Sequence, residues 1–411
     1  MLRLPPSSVR FFSSSSFHRL PRISSDAFAR IPSFRDRVAR SKPLKSFQSS
    51  IQRPGIRNQI LFATFGSLAA FVYAADYTNK DTEKWAAVAR EKGKIVFKLT
   101  EPTSNDMRAA KRFQLGRDVQ AGYDSLMDTL QSWPNQLKTT ASWLYIQIMQ
   151  PVLDAEEGRV MAWGLVGLCA STWLMWRAPR MQSFMTKHFA HDPLSGRSYT
   201  LLTSMFSHAG FFHLAINCFV LTGTGTTVWF ALRNAKGNLE KRTGMGEADS
   251  RWHALAFFIS AGLFAGLVSH VAKSTWVFSR IISRASAAVR AASKRASGET
   301  PAAPRKFGWT INPSVGISGA VYAGLTLTAM AAPYAQVALI FLPMVPIPIQ
   351  WGVGAAVLFD IIGVIRGPFS GIDHFAHLGG ALFGVLYWSY GPVWWEWLRY
   401  VLGKHEEKQR S

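Results

Sequence analysis

The strongest constraint on this chain is the separation of its charges from its apolar residues. Apolar runs near residues 60–75, 160–176, 213–230, 252–271, 315–332, 349–365 and 375–390 carry almost no Lys, Arg, Asp or Glu, while the segments between them are heavily charged. Such partitioning predicts an all-α polytopic membrane protein with one early transmembrane helix followed by six (1+6). Several runs fall short of the roughly 20 residues that a perpendicular helix needs, so their ends are set only to within a few residues. Across 411 residues the net charge is +22, with 48% hydrophobic residues. That charge alone would suit nucleic acid or an anionic membrane surface. Its confinement to the loops selects the lipid bilayer and excludes nucleic acid.

Loop charges also predict sidedness. Residues 1–58 hold 12 basic and 2 acidic side chains, 177–198 hold 4 and 1, and 275–312 hold 7 and 1. On the other side of alternate spans, 76–157 hold 11 basic and 12 acidic residues, and 233–251 hold 5 and 3. Every strongly basic loop thus lands on the side of the N-terminus, as the positive-inside rule expects. The first 25 residues carry Arg3, Arg10, Arg19 and Arg22, many serines and no acid before Asp26, the composition of a mitochondrial presequence. The expected place is the mitochondrial inner membrane, with the N-terminus in the matrix and the C-terminus in the intermembrane space. The predicted organisation is a presequence and matrix segment (1–58), an extra transmembrane helix (59–76), an intermembrane-space connector (77–157), a six-span core (158–395) and a C-terminal tail (396–411).

Three further segments have local readings. The three prolines of 336–348 argue against a continuous helix, so this stretch is expected as a loop bordering a cavity. The Ala-, Ser- and Arg-rich loop 275–312 suits an amphipathic surface helix or a flexible linker equally. Cys169 and Cys218 both lie in apolar runs without metal-site spacing and are expected as buried thiols. No cofactor is expected.

Polar groups inside apolar spans are costly, so function is sought there. Gly316-Ile317-Ser318-Gly319 opens the fifth span of the core-plus-one set, where a serine at a helix start lies beside free backbone N–H groups able to stabilise an oxyanion. In Ala376-His377-Leu378-Gly379-Gly380, His377, Gly380 and Gly384 share a helix face, and the two glycines let a neighbouring backbone approach. If that neighbour carries Ser318, the imidazole arrives as a general base. His374 is a runner-up base, expected at the membrane edge. His213 and Asn217 lie four apart and point the same way, as donors to a developing negative charge or as a packing pair. His208 is expected to hold its loop by a structural bond, and Tyr322, one turn after Ser318, to pack under His377.

In this order the motifs resemble the rhomboid family of intramembrane serine proteases. Its HxxxN, GxSG and AHxxG patterns are matched by His213–Asn217, Gly316–Gly319 and Ala376-His377–Gly380, within roughly 158–395. The resemblance implies a Ser318–His377 dyad without an acidic third member. It also implies an oxyanion hole of His213, Asn217 and the Ser318 backbone amide, and a tyrosine at Tyr322. The presequence and extra span resemble the mitochondrial branch, the presenilin-associated rhomboid-like and fungal processing proteases. Substrates implied are single-span inner-membrane proteins, among them a mitochondrial dynamin-like GTPase and cytochrome c peroxidase-type precursors. The alternative is an inactive rhomboid-like protein that binds clients without cutting them. The Trp-Arg pair of many bacterial members has no counterpart here, and Arg197-Ser198-Tyr199 lies nearby in a different register, which leaves the shape of that loop open.

Overall fold

The computed structural model describes residues 53–95, 102–296, 311–339, 342–367 and 371–410. The presequence expected at 1–58 lies almost wholly outside the described residues, as does 297–310 of the basic loop.

The chain is overwhelmingly helical. A long α1 (Arg57–Ile95) leads to the connector pair α2 (Ser104–Thr129) and α3 (Asn135–Asp154), then α4 (Glu157–Arg177). Short helical turns between 179 and 206 lead to α5 (Phe211–Thr243) and α6 (Arg251–Ala272). A π-helical turn, Lys273–Val277, joins α6 to α7 (Phe278–Ala296). There follow α8 (Ser318–Ala331), the strands β1 (Gln336–Leu339) and β2 (Leu342–Pro348), α9 (Ile349–Arg366) and α10 (His374–Arg410). Boundaries follow local chemistry. Thr103 and Asp106 form a reciprocal capping box at the start of α2, and Gly244, at φ +71°, ends α5 in the left-handed region.

Among the described residues, α1, α5, the continuous α6–α7 unit and α9 are long and apolar enough to cross a membrane. The shorter α8 and the helices α4 and α10 pack among them. At the centre stands α6, whose Ala254, Phe257, Phe258, Ala261 and Leu263 are fully buried against α1, α8 and α10. The buried Cys169 and half-buried Cys218 are both free thiols.

The contact of α8 with α10 is backbone on backbone. A Cβ on Gly380 would collide with the carbonyl oxygen of Gly319, and one on Gly384 with that of Ala323. The glycine face read from the sequence therefore meets the Ser318 helix.

Segments sort to two ends of the bundle. At one end Gly55, before α1, accepts a hydrogen bond from His270, which also meets His191 of the 178–210 loop at 2.9 Å. His191 in turn pairs with Ser314 by two backbone hydrogen bonds. At the other end the connector is anchored: Lys111 bridges Asp81 and Asp249, and Arg399 of α10 bonds Asn79 and Glu247. The described parts of the basic segments, at Gly55, His191 and just before Ser314, thus share an end.

Two expectations change. Residues 336–339 and 342–348 pair as antiparallel strands where a loop bordering a cavity was expected, and Met344 is 89% exposed. Pro346 and Pro348 are accommodated because a two-stranded ribbon leaves one edge of each strand unpaired. The tail expected at 396–411 continues α10, with Leu398 and Arg399 buried. Of the two readings of 275–312, the helix holds as far as Ala296.

The glycine contact is testable. Gly380→Ala puts a methyl group against a backbone oxygen that cannot yield, an overpacking cost of about 1–3 kcal/mol. Thermal unfolding in detergent should show a lower midpoint; an unchanged midpoint would rule out the close approach.

Candidate active site

Ser318 is the first residue of α8. The turn before it is set by Gly316, whose φ of +119° disfavours a side chain and whose N–H donates to the Ser204 carbonyl at 2.9 Å. His377 occupies the first turn of α10. The glycine contact carries it to Ser318, with Nε2 2.9 Å from Oγ. Tyr322 stacks under the imidazole, ring centroids 4.3 Å apart and 13° from parallel. Gly319 lies in the backbone contact with α10, where an added Cβ would sit 3.2 Å from the Ala376 carbonyl oxygen.

A carboxylate also reaches the imidazole. Asp360 of α9 is fully buried, and His377 Nδ1 lies 3.1 Å from its Oδ1. An Nδ1–H donated to this carboxylate leaves the Nε2 lone pair directed at the Ser318 hydroxyl, the tautomer a general base requires. Tyr322 also interacts with Asp360. His374, the first residue of α10, is buried, with Nδ1 2.5 Å from the same Asp360 oxygen. Asp360 was legible, as a lone acidic residue in the 349–365 apolar run, and such residues are functional candidates by cost alone.

The residues expected on the oxyanion side lie partly together. The His213 ring lies against Gly316, where an added Cβ would sit 2.9 Å from its Cε1. Asn217 donates from Nδ2 to the His213 carbonyl at 2.8 Å, which leaves its second N–H for another acceptor. His208 is fully buried and packs edge-on to His213 at 5.0 Å, with the Phe206 backbone of its preceding loop beside the ring. Other groups also hold the loop: Trp176 Nε1 donates to Ser207 Oγ at 2.6 Å and Thr172 Oγ1 to the Phe206 carbonyl at 2.5 Å. Arg197 and Tyr199 point outward to Lys187 and His188.

A second cluster holds the two reacting segments in register. The Asp373 carboxylate accepts from Lys273 Nζ at 2.6 Å, Ser314 Oγ at 2.6 Å, Ser269 Oγ at 2.7 Å and the Ala376 N–H at 3.2 Å. Asp373 therefore caps the His377 helix while Ser314, four residues before Ser318, is tied to the same carboxylate. Both are fixed to the end of α6. Burial opposes ionisation of Asp373, but Lys273 and the serine hydroxyls override it and hold the carboxyl well below the usual range. The signal missed in the sequence is an aspartate just ahead of an apolar helical run. Beside Ser318 a small cavity of about 30 Å³ is bordered by Ser204, Ser314 and Asp373. It has room for a water.

With the fold and site in view, comparison with known proteins assigns the class. Residues 195–391 match the Rhomboid domain, and the chain is a rhomboid-family, all-α, multi-pass membrane protein. Its similarities fall in the mitochondrial branch. It is 28% identical over 265 residues to presenilin-associated rhomboid-like protein A, mitochondrial, of Danio rerio, covering 63% of this chain and 56% of that protein. It is 26% identical over 283 residues to the Homo sapiens and Mus musculus presenilin-associated rhomboid-like proteins, covering 66% of this chain and 60% and 61% of theirs. The chain thus spans less than two thirds of the relatives it matches.

Two buried histidines predict the acid response. Burial, reinforced by His270 and Lys273, pushes His191 down to about 3; burial and His213 push His208 down to about 3. Unfolded, each titrates near about 6.5. Between these values the unfolded chain binds more protons, so stability is full above about 6.5 and drains as pH falls. The unfolding temperature should decline from pH 7 to 5, and His191→Asn should shallow the decline by about one proton's worth. An unchanged slope would exclude a neutral buried His191.

Proposed function

We propose that the chain is an intramembrane serine endopeptidase of the mitochondrial inner membrane. The observation that carries this reading is the unbroken hydrogen-bond line from Ser318 through His377 to Asp360. A buried carboxylate has little structural reason to order an imidazole whose other nitrogen meets a helix-start serine. Such a line fits acyl transfer.

In the proposed reaction Ser318 Oγ attacks the scissile carbonyl carbon as its proton passes to His377 Nε2. Asp360 holds the Nδ1–H and stabilises the imidazolium. The carbonyl oxygen becomes an oxyanion, accepting hydrogen bonds from the Ser318 backbone N–H, the free Asn217 N–H and His213. His377 then donates its proton to the leaving amine, and the C–N bond breaks. Water from the cavity by Ser204 and Ser314 attacks the acyl carbon, giving its proton to His377, which returns it to Ser318 Oγ as the acyl C–Oγ bond breaks and the carboxyl product leaves. A helical substrate satisfies its own backbone, so a local unwinding must expose the carbonyl.

We further propose that α4, α8 and α10 cross the bilayer with the four long apolar helices, giving a 1+6 arrangement. The basic loops at the Ser318 end support a matrix N-terminus, with the connector and C-terminus in the intermembrane space. The reading extends to single-span inner-membrane substrates, a dynamin-like GTPase and cytochrome c peroxidase-type precursors among them.

The test uses the full chain in proteoliposomes with a single-span substrate, together with a fluorophosphonate probe. Ser318→Ala and His377→Ala should abolish cleavage and labelling while leaving insertion intact. Asp360→Asn should lower kcat by about 10²–10⁴-fold with KM little changed. Cleavage retained by Ser318→Ala would sink the assignment. A wild-type protein that binds the substrate but neither cuts nor takes the probe would instead support client binding without catalysis.

A further inference from the structure

Where α5 leaves its apolar stretch, at the end of the bundle away from Ser318, it meets the first turns of α2 around an open cavity of about 610 Å³. Arg108, Arg233 and Lys241 line it, against a single acid, Glu240. That acid is engaged: its Oε2 accepts the Ser104 hydroxyl at 2.6 Å and its Oε1 the Ser104 N–H at 3.2 Å. The two guanidinium groups converge. Asn105 Oδ1 lies 3.5 Å from both Arg108 Nη1 and Arg233 Nη2, at the long limit of a hydrogen bond. Arg108 Nε is buried without a partner, and the described residues give neither guanidinium a carboxylate within ion-pair distance.

Two converging cations with spare donors are unfavourable unless an anion joins them. Burial and the nearby Arg233 push the Arg108 guanidinium below its ordinary pKa, against the pull of Glu247, Glu157 and Glu240. Guanidinium forks match the paired oxygens of a phosphate, and their parallel N–H bonds gain strength from the charge. Position points to the source. The cavity sits at the end of the Phe211–Ala235 apolar stretch, the level at which lipid headgroups lie, and basic pockets there hold phosphate headgroups.

We propose that this cavity binds a phosphate group, its oxygens held by Arg108 and Arg233 with Lys241 at the rim. A phospholipid headgroup and free phosphate share that chemistry, and the experiment separates them. The full chain in neutral detergent is titrated with inorganic phosphate in one arm and with phosphatidic acid in mixed micelles in the other. Chloride at equal ionic strength and zwitterionic phosphatidylcholine serve as controls, and the unfolding temperature is read. A ligand specific to the folded state should raise it by about 2–4 °C. A rise with phosphatidic acid alone assigns a lipid headgroup; a rise with inorganic phosphate as well assigns a site for the bare anion. In either case Arg233→Gln should remove it. Arg233 is only partly buried, so this variant reads the site even if Arg108→Gln fails to fold. No rise with either probe, an equal rise with phosphatidylcholine, or a full rise in Arg233→Gln would overturn the proposal.

Discussion

The structure depends on one close approach, that of the α8 backbone to the α10 backbone. At Gly319, Gly380 and Gly384 no side chain intervenes, so two helices meet nearer than any larger residue permits. In lipid, association has no hydrophobic drive between helices, and tight van der Waals contact takes its place. The same contact sets the chemistry. Ser318 and His377 belong to segments 59 residues apart, yet their hydrogen bond forms in the first turn of each helix. The Asp373 cluster then prevents sliding, because Lys273, Ser269 and Ser314 hold both helix starts to α6.

Much of this was legible in the sequence, for a physical reason. Hydrocarbon tolerates few charges and no unsatisfied backbone, so apolar runs and their flanking charges report helices and sides directly. The faces were legible too: His377 with Gly380, and Ser318 with Tyr322, follow from helical spacing alone. What escaped notice was interaction between elements. The expectation of a two-residue site passed over Asp360, although its carboxylate stands alone in an apolar run. The hairpin at 336–348 was hidden because three prolines forbid a helix without specifying a ribbon.

Histidine partners were the least predictable. Ring nitrogens take whatever acceptor the tertiary fold provides, and local spacing does not encode it. His374 was expected at the membrane edge and shares Asp360 with His377. His208 lies beside the Phe206 backbone of its loop and also packs on His213, a contact that spacing does not announce, while Trp176 and Thr172 hold the same loop.

Asp360 is tied to α10 through both His374 and His377, yet it stands on a less firmly seated helix. Ser318 and His377 are locked to α6 and to each other, whereas α9 has only 17% of its apolar stretch buried. It is thus the least supported of the four long apolar helices. A sideways shift of α9 lengthens the Asp360–His377 bond before it disturbs the Ser318–His377 bond. Ser318 and His377 stay aligned, but the imidazole loses the carboxylate that orients its Nδ1–H. In the proposed reaction, the seating of one peripheral helix thereby sets how well the base is poised.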